Sequence, residues 1–248
     1  GISSKVFHAP FLHLHEGYEI TNFLERNKNE SSALYPYAKI VRNFEELLAS
    51  DAELIVITTP NNTHFNYAAE ALQAGKHVVP EKPFTLNSAE GKSLTGLAAA
   101  SGKLLSVYHN RRYVSDFLTI QKILNNNLLG EVHEYIARYD RYRAEAREGA
   151  WREKPLPGSG ILFDLGPHLI DQALQLFGFP KTIYADIRKQ RPHAVVDDYF
   201  EIWMDYGNLK VTLHAGMLVR EMGPRYLIHG HKGSFVKSGE DPQEALLR

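Results

Sequence analysis

The sequence predicts an α/β fold in two parts, a doubly wound Rossmann-type parallel sheet followed by an open, mostly antiparallel sheet. In the first half, short apolar segments alternate with helix-like segments, an order that requires right-handed crossovers between parallel strands. After Gly130, long stretches of alternating polar and apolar residues follow one another, as in antiparallel strands. The 248 residues, 44% of them hydrophobic, suffice for one large or two modest domains. We place a Rossmann-like domain at residues 1–112 and an antiparallel-sheet domain at residues 113–248.

The elements of the first half follow from apolar runs and glycine stops. Gly75 and Gly102 each stand where a helix would end in a left-handed residue. Strands are predicted at residues 18–24, 54–58, 77–79 and 103–109, and helices at residues 43–50, 63–74 and 88–101.

In the second half, one helix at residues 115–128 precedes the sheet, and a second helix packs against the sheet. The turn Tyr206-Gly-Asn-Leu209 has the residues of a hairpin. Strands are predicted at residues 131–143, 181–189, 199–206, 209–219 and 225–229.

The second of these helices carries a polar line. Asp164, His168, Asp171 and Gln175 fall on one side at helical spacing, and the opposite side is apolar. Because Pro167 has no amide hydrogen, we expect the helix to begin only a residue or two before it, with Asp164 in the first turn. An ordinary amphipathic helix facing water is the alternative. The glycines at 158 and 160 and the Asp–His–Asp composition favour a cleft.

The amino-terminal segment has features of a dinucleotide site. Residues 1–4, which include Ser3, have the pattern of the end of a glycine-rich loop. Gly1 takes the place of its second glycine and Ser4 the place of the third. We therefore expect the first strand and first glycine to be missing, and a carboxy-terminal segment as well. Glu25 closes the next strand, where a carboxylate binds ribose and favours NAD. Arg26 leaves NADP open, and an exposed strand end is the alternative for both residues.

Two further groups follow predicted strands, at the sheet edge where ligands bind. Thr59-Pro60-Asn61 and His64 follow the most hydrophobic strand, although Asn61 or Asn62 can instead cap the next helix. Glu81-Lys82-Pro83 follows residues 77–79. The prolines on both sides of this group fix the backbone and aim Lys82, and X-Pro bonds at such turns sometimes adopt the cis form.

Together these motifs carry a family resemblance. The loop remnant, Thr59-Pro-Asn61, Glu81-Lys-Pro83, His109-Asn-Arg-Arg112 and residues 158–171 occur in one order, and they resemble the Gfo/Idh/MocA oxidoreductases, in particular the scyllo-inositol dehydrogenase-like branch. The resemblance covers essentially the whole chain. It implies a nicotinamide-dependent dehydrogenase acting on a secondary hydroxyl of a sugar or polyol.

The resemblance also implies roles for individual residues. Lys82, Asp164 and His168 match the catalytic set of the family. Asp171 matches a position that binds substrate hydroxyls. The residues expected to line the substrate and nicotinamide pocket are Asn110, Arg112, Trp151 and Arg152.

The chemistry of these residue types agrees with alcohol oxidation. His168 is of the residue type whose unperturbed pKa lies near neutrality, which suits reversible proton exchange. An ammonium such as Lys82 stabilises a developing alkoxide. Lys82 must then approach His168 and Asp164 across a shared cleft. The alternative is a non-catalytic dimeric protein that binds a nucleotide or sugar. Hydrolysis lacks a Ser or Cys nucleophile in a recognisable turn.

Composition excludes other classes. The net charge is −1 with no basic stripe, which argues against a nucleic-acid or membrane partner. The chain has no Cys, and its His clusters lack the spacing of a zinc site, so we expect no metal. We expect a cytoplasmic protein that forms a homodimer or homotetramer through the antiparallel sheet.

Overall fold

The computed structural model describes residues 1–146 and 149–239. The described chain divides into two compact units between Tyr108 and His109, shortly before the predicted boundary. The α/β fold class of the sequence analysis is confirmed: the first unit has parallel strands and the second a mostly antiparallel sheet. No helix within the described residues is long and apolar enough to span a membrane.

The first unit contains two parallel pairs of strands with helices between them. Its strands are β1 (Asn22–Leu24) paired with β2 (Lys39–Val41), and β3 (Leu54–Ile57) paired with β4 (His77–Pro80). Its helices are α1 (Ala9–Leu14), α2 (Phe44–Leu48), α3 (His64–Gln73) and α4 (Ser88–Ser101).

Local signals account for these helices. Asn43 and Asn87 cap α2 and α4 by accepting from the amides of Glu46 and Glu90, and Gly102 closes α4 at φ 64°. The core between helices and strands contains Ile55, Ile57, Ala71, Leu72 and Leu94.

The first unit differs from the prediction in two details. At the amino terminus, Ser4–His8 form a π-helical turn that leads directly into α1, as a helix follows a glycine-rich loop. Residues 103–109 form only isolated parallel bridges, Val78 with Leu105 and Glu81 with Tyr108. The short strand β2 was not predicted, since three residues are too few for a periodic pattern.

The second unit is a six-stranded sheet covered on one face by a helix. The strands are β5 (Val132–Arg138), β6 (Thr182–Arg188), β7 (Tyr199–Asp205), β8 (Lys210–Gly216), β9 (Tyr226–Gly230) and β10 (Gly233–Lys237), and they lie in the order β10-β9-β5-β8-β7-β6. The β5–β8 pair is parallel and the other pairs are antiparallel. The predicted hairpin joins β7 to β8, with the Tyr206 amide donating to the Leu209 carbonyl at 3.0 Å. The strand β10 was not predicted.

Helix α5 (Ser115–Asn125) precedes the sheet, and helix α6 (Ile161–Phe177) packs on β7 and β8. The shared core includes Leu169, Ala173, Phe200 and Leu213, each fully buried. Burial of this apolar face fixes the orientation of α6 and so decides where its polar residues point.

The start of α6 differs from the prediction. The helix begins at Ile161 rather than just before Pro167, although Asp164 does lie in its first turn. The reason is a distant cap: the Asp197 carbonyl accepts from the Ile161 amide at 2.9 Å, and the Asp197 Oδ2 accepts from the Leu162 amide at 2.7 Å. These bonds satisfy two amides that have no acceptor within the helix, so the helix extends well before the proline.

Candidate functional site

A large cavity in the first unit brings together many of the predicted cofactor residues. Its volume is about 1450 Å³, and it runs along β1 and β3, which belong to different strand pairs. Its lining includes Gly1, Ser4, Glu25, Arg26, Thr59 and Pro60. The ends of parallel strands and the start of a helix are the positions from which Rossmann-type folds bind a dinucleotide. The donor and acceptor set of this cavity fits such a ligand.

At the end of β1, Glu25 is already bound to its own loop. Its two carboxylate oxygens accept from the amides of Glu30 and Ser31, each at 2.8 Å. Burial raises the pKa of Glu25, but the hydrogen bonds from Ser31 and Glu30 outweigh it and leave the pKa below its ordinary value. Arg42 Nη1 also donates to the Glu25 carbonyl at 2.7 Å. The carboxylate therefore first stabilises the turn that follows it.

Positive charge surrounds this loop. Arg26 is in contact with the hydroxyl of Tyr67 at 3.2 Å, and Lys28 forms an ion pair with Glu30 at 2.7 Å. Lys5 forms a second ion pair with Glu30. Together, these two lysines lower the pKa of Glu30 to about 2.

Between β3 and α3, the polar residues have structural partners. Neither Asn61 nor Asn62 caps α3, whose N-cap is Thr63; Asn61 is buried at the start of a 3-10 turn. His64 is fully buried, with Nε2 2.9 Å from the Thr59 carbonyl and Nδ1 2.8 Å from the Pro83 carbonyl. The ring thus ties the loop after β3 to the loop after β4.

The Glu81-Lys82-Pro83 segment is held from both sides. The Lys82–Pro83 peptide bond is cis, and the Lys82 amide donates to Glu81 Oε2 at 3.3 Å. His64 holds the Pro83 carbonyl, as described above. These two hydrogen bonds hold the backbone on either side of Lys82.

Glu81 connects this segment to the amino-terminal helix. Its Oε1 accepts from the Ser3 hydroxyl and lies 2.9 Å from His8 Nε2. Burial raises the pKa of Glu81, but the hydrogen bonds from His8 and Ser3 and the nearby charge of Lys82 outweigh it, and the pKa is lowered. Tyr108 completes the group: its ring centroid lies 4.0 Å from that of His8, and its hydroxyl donates to the Phe7 carbonyl at 2.5 Å.

In the second unit, helix α6 carries Asp164 and His168 one turn apart. The Asp164 side chain is 24% exposed, and Arg152 Nε lies 3.1 Å from its Oδ1. The Arg152 guanidinium also stacks on the Trp151 ring, 4.7 Å from its centroid. His168 is buried, and its ring centroid lies 6.2 Å from that of Tyr139. The structure thus brings together four residues predicted to serve substrate chemistry.

Further along α6, two predicted substrate residues bind each other. Arg112 forms a bidentate pair with Asp171, from Nε to Oδ2 at 2.7 Å and from Nη2 to Oδ1 at 2.5 Å. The hydrogen bond with Asp171 raises the pKa of Arg112. His109 Nδ1 lies 3.8 Å from Asp171 Oδ2. Asp171 therefore fixes Arg112 on the turn Asn110–Tyr113.

Sequence reasoning missed residues whose roles depend on distant partners. Gln172, fully buried, donates to the Arg111 carbonyl at 2.9 Å and accepts from the Tyr226 hydroxyl at 2.8 Å, so it locks the Asn110–Tyr113 turn to the sheet. Arg191 and the acidic pair Asp197-Asp198 support α6 and the turn beside it. Two adjacent acids directly before an apolar strand were the available signal for this pair.

No group of three or more His, Cys, Asp or Glu side chains suited to a metal ion occurs within residues 1–146 and 149–239.

Comparison with known proteins identifies the family. Residues 1–109 match the oxidoreductase family with an NAD-binding Rossmann fold, and residues 117–236 match the GFO/IDH/MocA C-terminal domain. The whole chain is 44% identical to scyllo-inositol 2-dehydrogenase (NADP(+)) IolW of Bacillus subtilis and covers 69% of that protein. It is 43% identical to the uncharacterized oxidoreductase YdgJ of Escherichia coli, of which it covers 72%. It also matches the crystal structure of an oxidoreductase from Bacillus cereus with a TM-score of 0.90 at 32% identity, covering the whole chain and 71% of that structure. The predicted resemblance is confirmed: the chain belongs to the Gfo/Idh/MocA family of oxidoreductases, with an NAD-binding Rossmann domain followed by the family's C-terminal domain.

Proposed function

We propose that this oxidoreductase is an NADP-dependent dehydrogenase that oxidises a secondary hydroxyl of a polyol of the inositol type. The observation that carries the proposal is the polar line on α6, where a partly exposed carboxylate, Asp164, stands one turn from the imidazole of His168. A ring with several hydroxyl groups needs one acceptor for the reacting proton and others that hold the ring. The name of the 44% identical relative IolW supports inositol as the substrate class.

Each residue then has a defined task. The cofactor supplies the hydride acceptor. His168 accepts the proton of the reacting hydroxyl and returns it in the reverse direction. Lys82 stabilises negative charge on the reacting oxygen, and Asp164 accepts a hydrogen bond from a neighbouring hydroxyl. Asp171 positions Arg112 for the substrate, because its carboxylate is already paired with that guanidinium.

The cofactor residues fall into two groups by their contacts. Gly1, Ser4, Glu25, Arg26, Thr59 and Pro60 line the cavity, and we assign them to the dinucleotide. The second group acts indirectly. Ser3 donates to Glu81, and His64 joins two loop carbonyls, so both hold the edge on which the cofactor binds; Asn61, buried in the same loop, supports it.

The proposed cofactor is NADP, whereas the presence of Glu25 in the sequence favoured NAD. A carboxylate repels a 2′-phosphate when it faces the ribose, but both oxygens of Glu25 accept from backbone amides. Arg26 and Lys28 supply positive charge at the same loop. We expect Arg26→Ala to raise KM for NADP about tenfold and leave KM for NAD nearly unchanged, an effect of about 1.4 kcal/mol. Lys92→Ala, on the exposed side of α4, is the control.

Absorbance at 340 nm tests the activity. The full chain is mixed with NADP or NAD and with scyllo-inositol, myo-inositol and a panel of hexoses. Lys82→Met should lower kcat about 10³-fold with cofactor affinity retained, since loss of one charge-stabilising group costs about that much. Lys92→Met serves as its control. If calorimetry detects tight cofactor binding but no substrate in the panel turns over, the non-catalytic nucleotide-binding alternative replaces the dehydrogenase.

We also propose self-association through the open face of the second sheet. Directly paired residues form one row across all six strands, and Tyr184, Trp203 and Val236 in it are 60%, 43% and 56% exposed. The full row is Tyr184, Trp203, Thr212, Ile136, Leu227 and Val236. Thr212 in this row is buried and Ile136 and Leu227 are partly buried. The exposed apolar surface is therefore centred on the adjacent rings of Tyr184 and Trp203, and exposed apolar surface of this kind is found at interfaces. Light scattering should detect a dimer or tetramer that Trp203→Arg dissociates and that Leu104→Arg, at an exposed position in the first unit, leaves intact.

A cytoplasmic location stays a prediction from the sequence, and cell fractionation tests it.

A further inference from the structure

A buried ion cluster in the second unit lies outside the residues assigned to the reaction. The Arg191 side chain is 3% exposed; its Nε lies 2.9 Å from Asp198 Oδ2, and its Nη2 lies 2.6 Å from Glu153 Oε2. Asp198, 1% exposed, also accepts from the amides of Gln190 and Arg191 at 2.6 and 3.0 Å. Burial lowers the pKa of Arg191, but the hydrogen bonds that Arg191 donates to Glu153 and Asp198 outweigh it and raise the pKa.

A buried ion cluster of this kind contributes little net stability, because its charges must be desolvated. Removing one cation and two carboxylates from water is unfavourable, and apolar residues of the same volume often stabilise a fold as well or better. A buried charge cluster is therefore more informative as a device that fixes a particular geometry.

Glu153, the partner of Arg191, is the last residue of the short turn Trp151–Glu153. This turn carries Arg152, whose Nε lies 3.1 Å from Asp164. The Arg152 carbonyl accepts from the Gly160 amide at 3.1 Å, and the Trp151 carbonyl accepts from the Ser159 hydroxyl at 3.2 Å. The turn is thus joined to the start of α6 on one side and to Arg191 on the other.

The residue next to Asp198 supports the other member of the Arg152–Asp164 pair. Asp197 binds the amides of Ile161 and Leu162 and so caps the first turn of α6, which contains Asp164. Gly160 adopts φ +90°, and a Cβ there would lie 2.0 Å from Asp197 Oδ1. Two successive aspartates therefore hold the two partners: Asp197 holds Asp164, and Asp198 holds Arg152 through Arg191 and Glu153.

We propose that Arg191 is a positioning residue, which keeps Arg152 against Asp164 and thereby sets the affinity of the site for the polyol. The proposal rests on the proposed function for its kinetic part. Its structural part, the placement of the Trp151–Glu153 turn by Arg191, stands on the contacts alone.

Tryptophan fluorescence measures the structural part without any turnover. The chain has two Trp residues, so a Trp203→Phe background isolates Trp151. In the full chain, Arg191→Met should raise acrylamide quenching of Trp151 about twofold. Arg191→Lys should raise it less, since lysine keeps the positive charge but cannot donate to both carboxylates as the planar guanidinium does. Arg188→Lys, at an exposed ion pair with Asp186, should leave quenching unchanged.

Kinetics separate positioning from mere stability. Arg191→Met should raise KM for the polyol about tenfold with kcat changed less than threefold, and Arg152→Met should do the same. If Arg191 acts through Arg152, the double variant has the KM of either single variant; multiplied effects overturn the proposal. A lowered melting temperature with unchanged quenching and unchanged KM also overturns it.

A variant that does not fold and a wild-type chain without turnover are each covered by another measurement. If Arg191→Met does not fold, Glu153→Gln takes its place, with the same direction expected for quenching and KM. If the wild-type chain turns over no polyol, the proposed function fails while the quenching result still decides whether Arg191 places the turn.

Discussion

Two partly buried carboxylates, Glu81 in the first unit and Asp197 in the second, have pKa values shifted in opposite directions. Burial raises the pKa of both. At Glu81 the donors His8 and Ser3 and the charge of Lys82 outweigh burial, and the pKa is lowered. At Asp197, burial and the neighbouring charge of Asp198 outweigh the backbone hydrogen bonds, and the pKa is raised. The difference shows that the hydrogen-bond donors and charges around a partly buried carboxylate decide whether its pKa falls below or stays above the ordinary value.

The comparison also separates two ways of holding a site. In the first unit, Glu81 ties a loop to a helix through neutral and imidazole donors, so the Lys82 segment is fixed by hydrogen bonds. In the second unit, Asp197 holds the start of α6 through backbone amides, while ion pairs hold the turns around it. We therefore expect the second unit to be the more sensitive to changes in charge.

The largest expected effect comes from Gly160→Ala, which forces a Cβ against Asp197. The residue would adopt φ +90° with its Cβ 2.0 Å from Asp197 Oδ1, so the cap of α6 must break. We expect a loss of about 4 kcal/mol in the free energy of unfolding, measured by urea denaturation. Gly178→Ala, at φ +72° and ψ −154° with nothing within 4 Å, tests backbone strain alone and should cost about 2 kcal/mol. Equal losses in the two variants would show that Asp197 does not matter for the cap.

The next effect comes from His8→Phe, which removes one donor from Glu81 and keeps an aromatic ring beside Tyr108. The carboxylate loses a hydrogen bond in a partly buried site, so we expect a loss of about 2 kcal/mol and a rise in the pKa of Glu81. His13→Phe removes an exposed hydrogen bond to the Tyr37 hydroxyl and should change the free energy of unfolding by less than about 0.5 kcal/mol. A stability of His8→Phe equal to that of His13→Phe would contradict the role given to His8.

The smallest effect is a difference in acid response between Glu81→Gln and Asp197→Asn. A lowered folded pKa means that the ionised Glu81 stabilises the fold above its ordinary value of 4.5, and this stability is lost as pH falls through the folded pKa. Glu81→Gln should therefore be less stable than wild type at neutral pH, on the order of 1 kcal/mol, with the gap closing below pH 4.5.

Asp197 should behave in the opposite way. Its raised folded pKa means that ionisation opposes folding, and protonation relieves this cost as pH falls towards the ordinary value of 3.8. Asp197→Asn should match or exceed wild type at neutral pH and lose that advantage in acid. Thermal melts of both variants between pH 7 and 3.5 provide the measurement; parallel pH profiles for the two would refute the comparison.

Local sequence determined much of this protein. Asn87 and Gly102 mark both ends of the Ser88–Ser101 helix, and Tyr206-Gly-Asn-Leu209 marks the hairpin, because a cap or turn depends on residues within a few positions. The family motifs were readable for the same reason, since Glu81-Lys-Pro83 and the Asp164–His168 spacing are short. The parallel first unit and antiparallel second unit followed from the rhythm of apolar residues.

Only the tertiary structure decided how these residues are used. The start of α6 depends on Asp197, whose carboxylate accepts from an amide 35 positions away in the chain. The commitment of Glu25 to backbone amides, the burial of His64 between two carbonyls and the pairing of Arg112 with Asp171 are likewise absent from any local pattern. The physical reason is that a polar side chain takes its role from whichever donor or acceptor folding brings to it. Sequence spacing specifies that partner only when it lies within a turn or two of helix.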